Sequence, residues 1–355
     1  MSINAEELKS KAALIIDGIL STDNKAAFTN REGRHFMDDW DWFQGVALFG
    51  LYEYYRDSKE ERVLSYLLSW FDEHMAKEPP MKNINSCCPL LTLSYLYELT
   101  GRQDYLALCK EWADYAVTRF PRTEEGGFQH ITIDSPNYMQ LWDDTLYMTV
   151  LFIARMGTLL GREDYVQESV RQFLVHIKYL HDSATGLLFH GFNFDGRHHY
   201  AHARWGRGNA WFTAGLVDYL DIAHIPEGVR LFLLGTLETQ AAALKKYQDA
   251  SGMWHTLIDD ETSYLESSAT AGFSYGLMKA ARLGYLPKEY AECGRKGVQA
   301  ILSRIDPNGL VTDVSAGTCL SDSLDYYRNI RRNAQPYGQS MALLMIMEAM
   351  KGGRS

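Results

Sequence analysis

The sequence lacks the marks of several protein classes. Its 355 residues carry a formal net charge of −10, whereas nucleic acids and anionic membranes bind basic patches. No run of 18 apolar residues is free of charge, because Arg155 interrupts the best candidate. The N-terminus has no basic segment followed by an unbroken apolar one, and five cysteines without a C-x-x-C pair favour a reducing compartment. We therefore expect a cytoplasmic protein that binds neither nucleic acid nor membrane.

Common catalytic and cofactor signatures are also absent. The sequence contains no G-x-S-x-G elbow, no P-loop and no dinucleotide fingerprint, and Gly206-Arg207-Gly208 follows no predicted strand. His198, His199 and His202 lie close together, but their spacing lacks a carboxylate partner and matches no common zinc pattern. We expect neither a cofactor nor a metal ion.

Helical periodicity dominates what is present. Apolar residues recur at spacings of three and four, and few alternating stretches are long enough for a large sheet. The pattern predicts about twelve helices: Ala5–Leu20, Trp42–Tyr55, Arg62–His74, Leu90–Leu99, Asp104–Phe120, Trp142–Leu160, Asp164–Leu180, Asn209–Ile222, Val229–Tyr247, Leu265–Leu283, Lys288–Ile305 and Pro336–Met350.

Two series of similar segments indicate an internal repeat. The turns after Leu99 and Leu160 resemble each other, and their glycines lie 60 residues apart. A second series begins at Gly127, Gly186, Gly252 and Gly309, in steps of 59, 66 and 57 residues. A period near 60 fits a long helical hairpin plus a loop. About six such hairpins predict an all-α, (α/α)6 barrel as a single catalytic domain over residues 1–355; closure is favoured because some helices are apolar around most of their circumference.

Trp142-Asp143-Asp144 places two carboxylates at the head of an apolar run. They are either a helix cap or a catalytic acid at the mouth of a pocket. A second unusual segment, residues 197–211, gathers three arginines, three histidines and two tryptophans. Its arginine forks match carboxylates, so this chemistry suits a carbohydrate that bears an acid group. Histidines recur at equivalent places in the repeat, and one or more of them can face the barrel axis: His130, His190 and His255.

At these motifs the chain resembles glycoside hydrolase family 105, the unsaturated rhamnogalacturonyl hydrolases, which are related to the unsaturated glucuronyl hydrolases of family 88. The resemblance covers nearly the whole chain. The segments that carry it are Trp40–Val46, Gly127–His130, Trp142–Met148, Trp205–Trp211, Ser263–Ala271 and Pro336–Gln339.

The resemblance implies an (α/α)6 barrel and a hydrolase of 4,5-unsaturated uronic acids, the sugars that polysaccharide lyases leave at non-reducing ends of pectin-type oligosaccharides. Such enzymes hydrate the C4=C5 double bond, and the hemiketal that forms then collapses. The match places the catalytic acid at Asp144, with Asp143 as cap or electrostatic support. It also implies the lining residues of the substrate site: His130, His190, Trp205, Arg207 and Trp211, with Trp40 or Trp42 near the entrance.

Asn85 marks a departure from this family pattern. Many relatives carry a second aspartate before the helix that contains Leu96, where this chain has Asn85. An asparagine can hold a hydroxyl group or a water, but it cannot accept a proton as a base. The proton chemistry is therefore expected to depend on Asp144. For the anion-binding surface we favour Arg207, with Arg204 as a weaker candidate.

Two other functions fit parts of the pattern. Sugar 2-epimerases use the same barrel with histidine acid/base pairs, for which His130, His190 and His255 are candidates. A non-catalytic α-solenoid would instead present a flat concave face to a protein partner. The partner that we expect is a small anionic oligosaccharide, whereas the leaving sugar and the oligomeric state are not encoded in a readable way.

Overall fold

The computed structural model describes residues 4–20 and 37–352, and helices make up most of them. The long helices are α1 (Ala5–Leu20), α2 (Trp42–Ser58), α3 (Glu61–Met75), α4 (Cys88–Thr100), α5 (Gln103–Arg119), α6 (Leu151–Leu160), α7 (Glu163–Leu180), α8 (Gly206–Ile222), α9 (Glu227–Tyr247), α10 (Ser267–Arg282), α11 (Glu289–Leu302) and α13 (Pro336–Gly352); a short α12 is Leu324–Arg328.

Short strands accompany the helices. They are β1 (Gln140–Trp142), β2 (Gly191–Asn193), β3 (Trp254–His255), β4 (Leu265–Glu266), β5 (Val314–Ser315) and β6 (Arg332–Asn333). They pair only as antiparallel two-stranded ladders, β1 with β2, β3 with β4 and β5 with β6. Three-residue 3-10 turns at Asn85–Cys87 and Glu124–Gly126 and a π-helical turn at Leu146–Val150 complete the regular structure of the described ranges.

The helices form two concentric rings. Within the described residues, α2, α4, α6, α8, α10 and α13 pack each against the next, and α13 packs back against α2. Each of α1, α3, α5, α7, α9 and α11 packs on the outside of an inner helix. Six hairpins thus close into the (α/α)6 barrel that the repeat predicted. No helix in this part of the chain is both long and apolar enough to cross a membrane.

The inner helices are buried on nearly all sides. In α8 and α10 almost every residue is buried, because one face meets neighbouring inner helices, one meets the outer ring and one fills the lumen. Small residues allow close approach: a Cβ on Gly276 would lie 2.8 Å from the Thr213 backbone oxygen, and one on Gly50 only 2.3 Å from Ser340 Oγ. Larger side chains there would push adjacent inner helices apart.

The 60-residue repeat has a physical basis in one kind of turn. A glycine with φ between 80° and 89° occurs in four hairpin loops. The backbone N–H two residues later donates to a buried side-chain oxygen each time, for example from Leu188 to Asn209 Oδ1 at 2.8 Å. The four glycines are Gly126, Gly186, Gly252 and Gly309. The first member of the series is therefore Gly126, since Gly127 has an ordinary negative φ of −60°.

One predicted α-helix is wrong over nearly its first half. The apolar pattern from Trp142 predicted helix up to Leu160, but Trp142 ends β1 and the α-helix starts only at Leu151. The π-helical turn lies between them, and such turns occur frequently at functional sites. Strand pairing of Trp142 with Gly191 overrides the local helical pattern. A smaller difference concerns the start of α8, which was predicted at Asn209. Arg207 and Gly208 belong to the first turn of this helix.

Ion pairs close the far end of the barrel, where the inner helices finish. A pocket of about 260 Å³ there is lined by charged groups that pair with one another, such as Glu53 with Arg56 at 2.6 Å and Lys279 with Asp221 at 2.7 Å. Burial raises the pKa of Glu53 to about 7, although the Arg56 charge opposes this shift. Glu53 is therefore a titrating group of the native protein near neutral pH.

We expect a Glu53→Gln variant to lose part of the pH dependence of stability. A carboxyl whose native pKa is about 7, against 4.5 ordinarily, binds its proton more tightly when folded. Its contribution is complete below the ordinary pKa and is lost as pH rises to about 7. The free energy of unfolding of wild type minus that of the variant should fall by about 3 kcal/mol across this window. Urea unfolding at several pH values measures it, and a constant difference would contradict the assignment.

Candidate active site

A backbone ladder sets the two acids beside His190. Trp142 pairs with Gly191 in the β1–β2 ladder, and the Asp143 N–H donates to the His190 carbonyl at 3.1 Å. The Asp144 carbonyl then accepts from the N–H groups of Tyr147 and Met148, both at 3.0 Å. The main chain therefore turns from strand to π-helical turn at the acids, and both carboxyls lie at the end of the ring where the inner helices begin.

The helix-cap role predicted for Asp143 is wrong. Its side chain is fully buried, and neither carboxyl oxygen has a hydrogen-bond partner in the described part of the chain. The turn that follows has Thr145 at its cap position and receives no side-chain cap bond. Asp143 is thus buried without a capping hydrogen bond of good geometry from the turn that follows it.

Asp144 is in contact with the edge of His190. Its side chain is 12% exposed, and its Oδ2 lies 3.3 Å from His190 Nε2, a close electrostatic contact outside good hydrogen-bond geometry. The other ring nitrogen, Nδ1, lies 2.8 Å from the Tyr327 hydroxyl. If Tyr327 donates there, the Nε2–H of the neutral ring faces Asp144. Burial lowers the pKa of His190, so the neutral ring is the resting form.

His130 forms the opposite wall against Trp142. The two rings stack in parallel, with centroids 4.3 Å apart and an angle of 3°. His130 Nδ1 lies 2.8 Å from Thr145 Oγ1, and burial lowers the pKa of His130 to about 3. His130 is therefore a neutral, fixed side chain at physiological pH and not a proton carrier.

The two carboxyls differ in their surroundings. Burial, and then the charge of Asp144, raise the pKa of Asp143 well above its usual range. Burial also acts to raise the pKa of Asp144, but the contact with His190 and the charge of Arg207 outweigh it, so this pKa is lowered. Two carboxyls this close bind protons as a pair. The two pKa values therefore shift in opposite directions, and that of Asp143 is the higher.

Arg207 lies in an aromatic cage. Its guanidinium carbon is 4.4 Å from the Trp205 ring centroid, 4.7 Å from that of Tyr337 and 5.8 Å from that of Trp42. Its Nη atoms donate to the Ser315 carbonyl at 2.7 Å, the Ala316 carbonyl at 3.0 Å and Thr318 Oγ1 at 3.2 Å. Arg207 is only 1% exposed. Its guanidinium therefore supplies a fixed positive potential and is not free to form a bidentate salt bridge.

The other predicted site residues fall into two groups. Trp42 and Trp211 meet edge to face at 6.0 Å, and Trp42 stacks on Tyr337 at 4.6 Å. Trp205 contacts His190 at 4.3 Å. Trp40 instead packs against Trp70 and Trp112, which belong to the outer helices α3 and α5, and its indole N–H donates to the Ser86 carbonyl. These contacts indicate that Trp40 stabilises the packing of the helices and is not part of the aromatic cage around Arg207.

Arg204 points to other partners. It forms ion pairs with Asp182 at 2.6 Å and with Asp259 at 2.7 Å, and its guanidinium lies 5.0 Å from the Phe189 ring centroid. The described contacts therefore do not bring Arg204 to the two acids. His255 is likewise engaged by a backbone carbonyl, that of Ser263.

Asn85 lies in the turn before α4, at the same end of the barrel as the acids. Thr149, in the π-helical turn after Asp144, donates to the neighbouring Ile84 carbonyl at 2.7 Å. Asn85 is half-buried, and its backbone N–H is held by Asn83 Oδ1 at 2.8 Å. No side-chain hydrogen bond of Asn85 occurs among the described residues. Its amide is available for a water or a sugar hydroxyl.

Two contributors were not predicted as site residues. Tyr337 lies in the segment Pro336–Gln339, which carries the family resemblance, and that position was the sequence signal that could have indicated its role. Tyr327 lies in the five-residue helix α12, too short for periodicity, so no pattern in the sequence indicated its contact with His190.

One atom from each of Asp143, Asp144 and His190 lies within 4.8 Å of the others, a spacing that a cation would also accept. A Cβ on Gly208 would lie 2.3 Å and 2.5 Å from the Asp143 oxygens. Both oxygens therefore face the backbone of α8 instead of an open space that a hydrated ion could enter. We assign this cluster to proton chemistry, because two carboxyls lie near a fixed cation in a buried, aromatic-walled site.

Comparisons with known proteins agree with this chemistry. The profile of Glycosyl Hydrolase Family 88 matches residues 21–352. The unsaturated rhamnogalacturonyl hydrolase YesR of Bacillus subtilis is 34% identical over 316 residues, which cover 88% of this chain and 90% of YesR.

Two solved structures described as possible members of the GH105 family also match. The one from Salmonella enterica has a TM-score of 0.94 and 42% identity, covering 99% of this chain and 96% of that one. The one from Klebsiella pneumoniae has a TM-score of 0.93 and 41% identity, covering 99% and 95%. These comparisons give no support to the epimerase or solenoid alternatives. The chain belongs to the glycoside hydrolases of families 88 and 105, and it is an unsaturated glycuronyl hydrolase.

Proposed function

We propose that the protein removes a 4,5-unsaturated uronic acid from the non-reducing end of lyase-generated oligosaccharides of the unsaturated rhamnogalacturonide type, with Asp144 as the catalytic acid. The observation that carries this proposal is the position of Asp144. It is a nearly buried carboxyl beside His190 and an aromatic wall, with the Asp143 carboxyl next to it. The similarity to the unsaturated rhamnogalacturonyl hydrolase YesR supports the sugar class.

The chemistry requires an acid that protonates carbon. Asp144 gives its proton to C4 of the double bond, and the positive charge that develops at C5 is shared by the ring oxygen. Water adds at C5, and its proton returns to the Asp144 carboxylate. The hemiketal then opens and releases the neighbouring sugar. Asn85 and His190 are suited to hold the water, because both offer polar atoms at this end of the barrel.

An anionic substrate must enter a protein of net charge −10. Arg207 provides the compensating potential, since its guanidinium packs against Trp205 and Tyr337 and its hydrogen-bond acceptors are neutral carbonyl and hydroxyl oxygens. The arrangement orients the uronate without a direct salt bridge, because both Nη atoms are already engaged. The rings of Trp42 and Trp211 offer stacking faces for sugars.

The test is an assay of ultraviolet absorbance lost when the double bond is hydrated. Purified protein is mixed with a panel of lyase products that carry an unsaturated uronate on rhamnose, on another uronate or on an amino sugar. We expect the rhamnose-linked substrate to give the highest kcat/KM. Saturated oligosaccharides of the same composition serve as controls. Release of sugar from the saturated set at a comparable rate would contradict the proposal.

We also propose a single catalytic domain, since the closed ring uses helices from both ends of the described chain. A cytoplasmic location is proposed on the free thiols of all five cysteines, four of which are buried. Fractionation of cells that express the tagged full-length protein tests the location.

A further inference from the structure

Asp143 poses a physical problem that the catalytic role of Asp144 does not explain. It is fully buried, and both of its carboxyl oxygens lack a hydrogen-bond partner in the described chain. An ionised carboxylate in such a place would carry the full cost of desolvation. A protonated carboxylic acid avoids that cost, so the geometry itself favours the neutral form.

The backbone of α8 fixes Asp143 in this position. A Cβ on Gly208 would overlap both oxygens, at 2.3 Å and 2.5 Å, so only glycine permits the carboxyl to sit against the first turn of this helix. The W-x-R-G-N-x-W motif thus provides a glycine for the acid next to Asp144. This close approach keeps water away from Asp143 and keeps it within 4.8 Å of Asp144.

Other charged or titratable groups surround the pair from each packed element. Asp144 is adjacent in sequence, His190 precedes β2, His130 precedes β1, Arg207 is on α8 and Tyr327 is on α12. The two histidines are neutral and Tyr327 is protonated at neutral pH, so Arg207 is the remaining cation. Its charge balances one negative carboxylate. A doubly ionised pair would leave one buried charge without compensation.

We propose that Asp143 is a positioning residue that holds the proton used in each catalytic cycle, so that Asp143 and Asp144 together carry one proton and one negative charge. This inference rests on the proposed function of Asp144. It gives the chain a second acid although Asn85 stands where relatives carry one.

The proton then follows a closed cycle. It passes from the Asp143 carboxyl to the Asp144 carboxylate when the negatively charged uronate arrives, because a second anion favours the neutral form of the nearer acid. Asp144 transfers it to C4, and the added water returns a proton to Asp144 and from there to Asp143. One water is consumed, and both carboxyls regain their initial state.

Infrared spectroscopy of the free enzyme at about pH 8 tests the resting state directly. At that pH Asp41 and Glu53, whose burial raises their pKa values to about 6 and about 7, are mostly ionised. We expect a protonated-carboxyl band in wild type that is lost in Asp143→Asn and kept in the control Glu53→Gln. The wild-type titration alone remains decisive if Asp143→Asn does not fold. Absence of the band in wild type would overturn the inference.

The pH profile of kcat/KM tests the catalytic consequence. In Asp143→Asn the amide keeps the shape but holds no exchangeable acid proton, so Asp144 titrates alone beside Arg207. The alkaline limb should move to lower pH by at least about one unit, with KM near the optimum changing less than threefold. A uniform loss of rate with an unmoved limb indicates a purely structural role and overturns the inference.

The outcomes separate this inference from the proposed function. Full turnover in Asp144→Asn would reject the catalytic assignment, whereas the infrared band of Asp143 does not depend on turnover. Stoichiometric binding of Zn²⁺ by the apo protein, together with loss of activity on chelation, would show that the cluster holds a metal ion and would overturn the shared proton.

Discussion

Replacing Asp144 with asparagine should lower kcat by about 10³-fold or more on an unsaturated uronide. The amide keeps the size of the side chain and its position beside His190, but it cannot protonate C4. General acid catalysis typically supplies 10²- to 10⁴-fold, and the neighbouring Asp143 carboxyl faces the backbone of α8 at Gly208, so it is not placed to replace Asp144 at the substrate. Loss of double-bond absorbance under saturating substrate measures the effect. A variant that retains a tenth of the wild-type rate would contradict the assignment.

Asp249→Asn is the matched control for that experiment. Asp249 lies in an equivalent hairpin loop and accepts from the Ser251 N–H at 2.8 Å, a bond that an amide oxygen also accepts. We expect it to keep wild-type turnover. Thermal unfolding of Asp144→Asn should lie close to that of wild type, because Asp144 already has an unpartnered buried oxygen. A large loss of stability would instead mean that the activity result reports folding.

Arg207→Lys should give the second-largest effect, a fall in kcat/KM of about 10²-fold together with a destabilisation of about 3 kcal/mol. A lysine ammonium cannot reach the two carbonyls and the hydroxyl that the guanidinium fork joins. Each acceptor left unsatisfied costs roughly 1–3 kcal/mol. Steady-state kinetics and urea unfolding measure the two effects. An unchanged kcat/KM would reject the role of Arg207 in balancing the charge of the substrate and the acids.

Arg204→Lys provides the comparison within the same segment. Its partners are the carboxylates of Asp182 and Asp259, and a lysine can still pair with one of them. We expect a change in kcat/KM of less than about threefold, since partly exposed ion pairs contribute little. A fall as large as that of Arg207→Lys would restore Arg204 as a substrate-binding residue.

Periodicity was sufficient to predict the barrel, for reasons that lie in its packing. Each hairpin buries the same two faces, so apolar spacing repeats with the chain, and the loop glycines recur because their positive φ is required each time. The beginning of α6 could not be predicted in this way. There the partner of the local backbone is β2, about 50 residues later, and pairing with β2 prevails over a helical pattern.

The site was predicted less completely because its contacts depend on tertiary structure. The motif around Asp144 indicated the acid and its aromatic neighbours. It did not indicate that Asp143 would lack a capping partner, since this depends on how α8 approaches. The Arg207 guanidinium is also held by the backbone carbonyls of residues 315 and 316. A residue of any type at these positions would offer the same carbonyl. Sequence patterns contain no record of such contacts.

The filled lumen has a consequence for how the enzyme meets its polymer. Inner helices buried on all sides leave no channel through the described barrel, and ion pairs close the opposite end. A sugar that reaches Asp144 can leave only by the way it entered. The released oligosaccharide has also lost the double bond that was hydrated, so it offers no second site for the same chemistry. We therefore expect one cut for each oligosaccharide that binds.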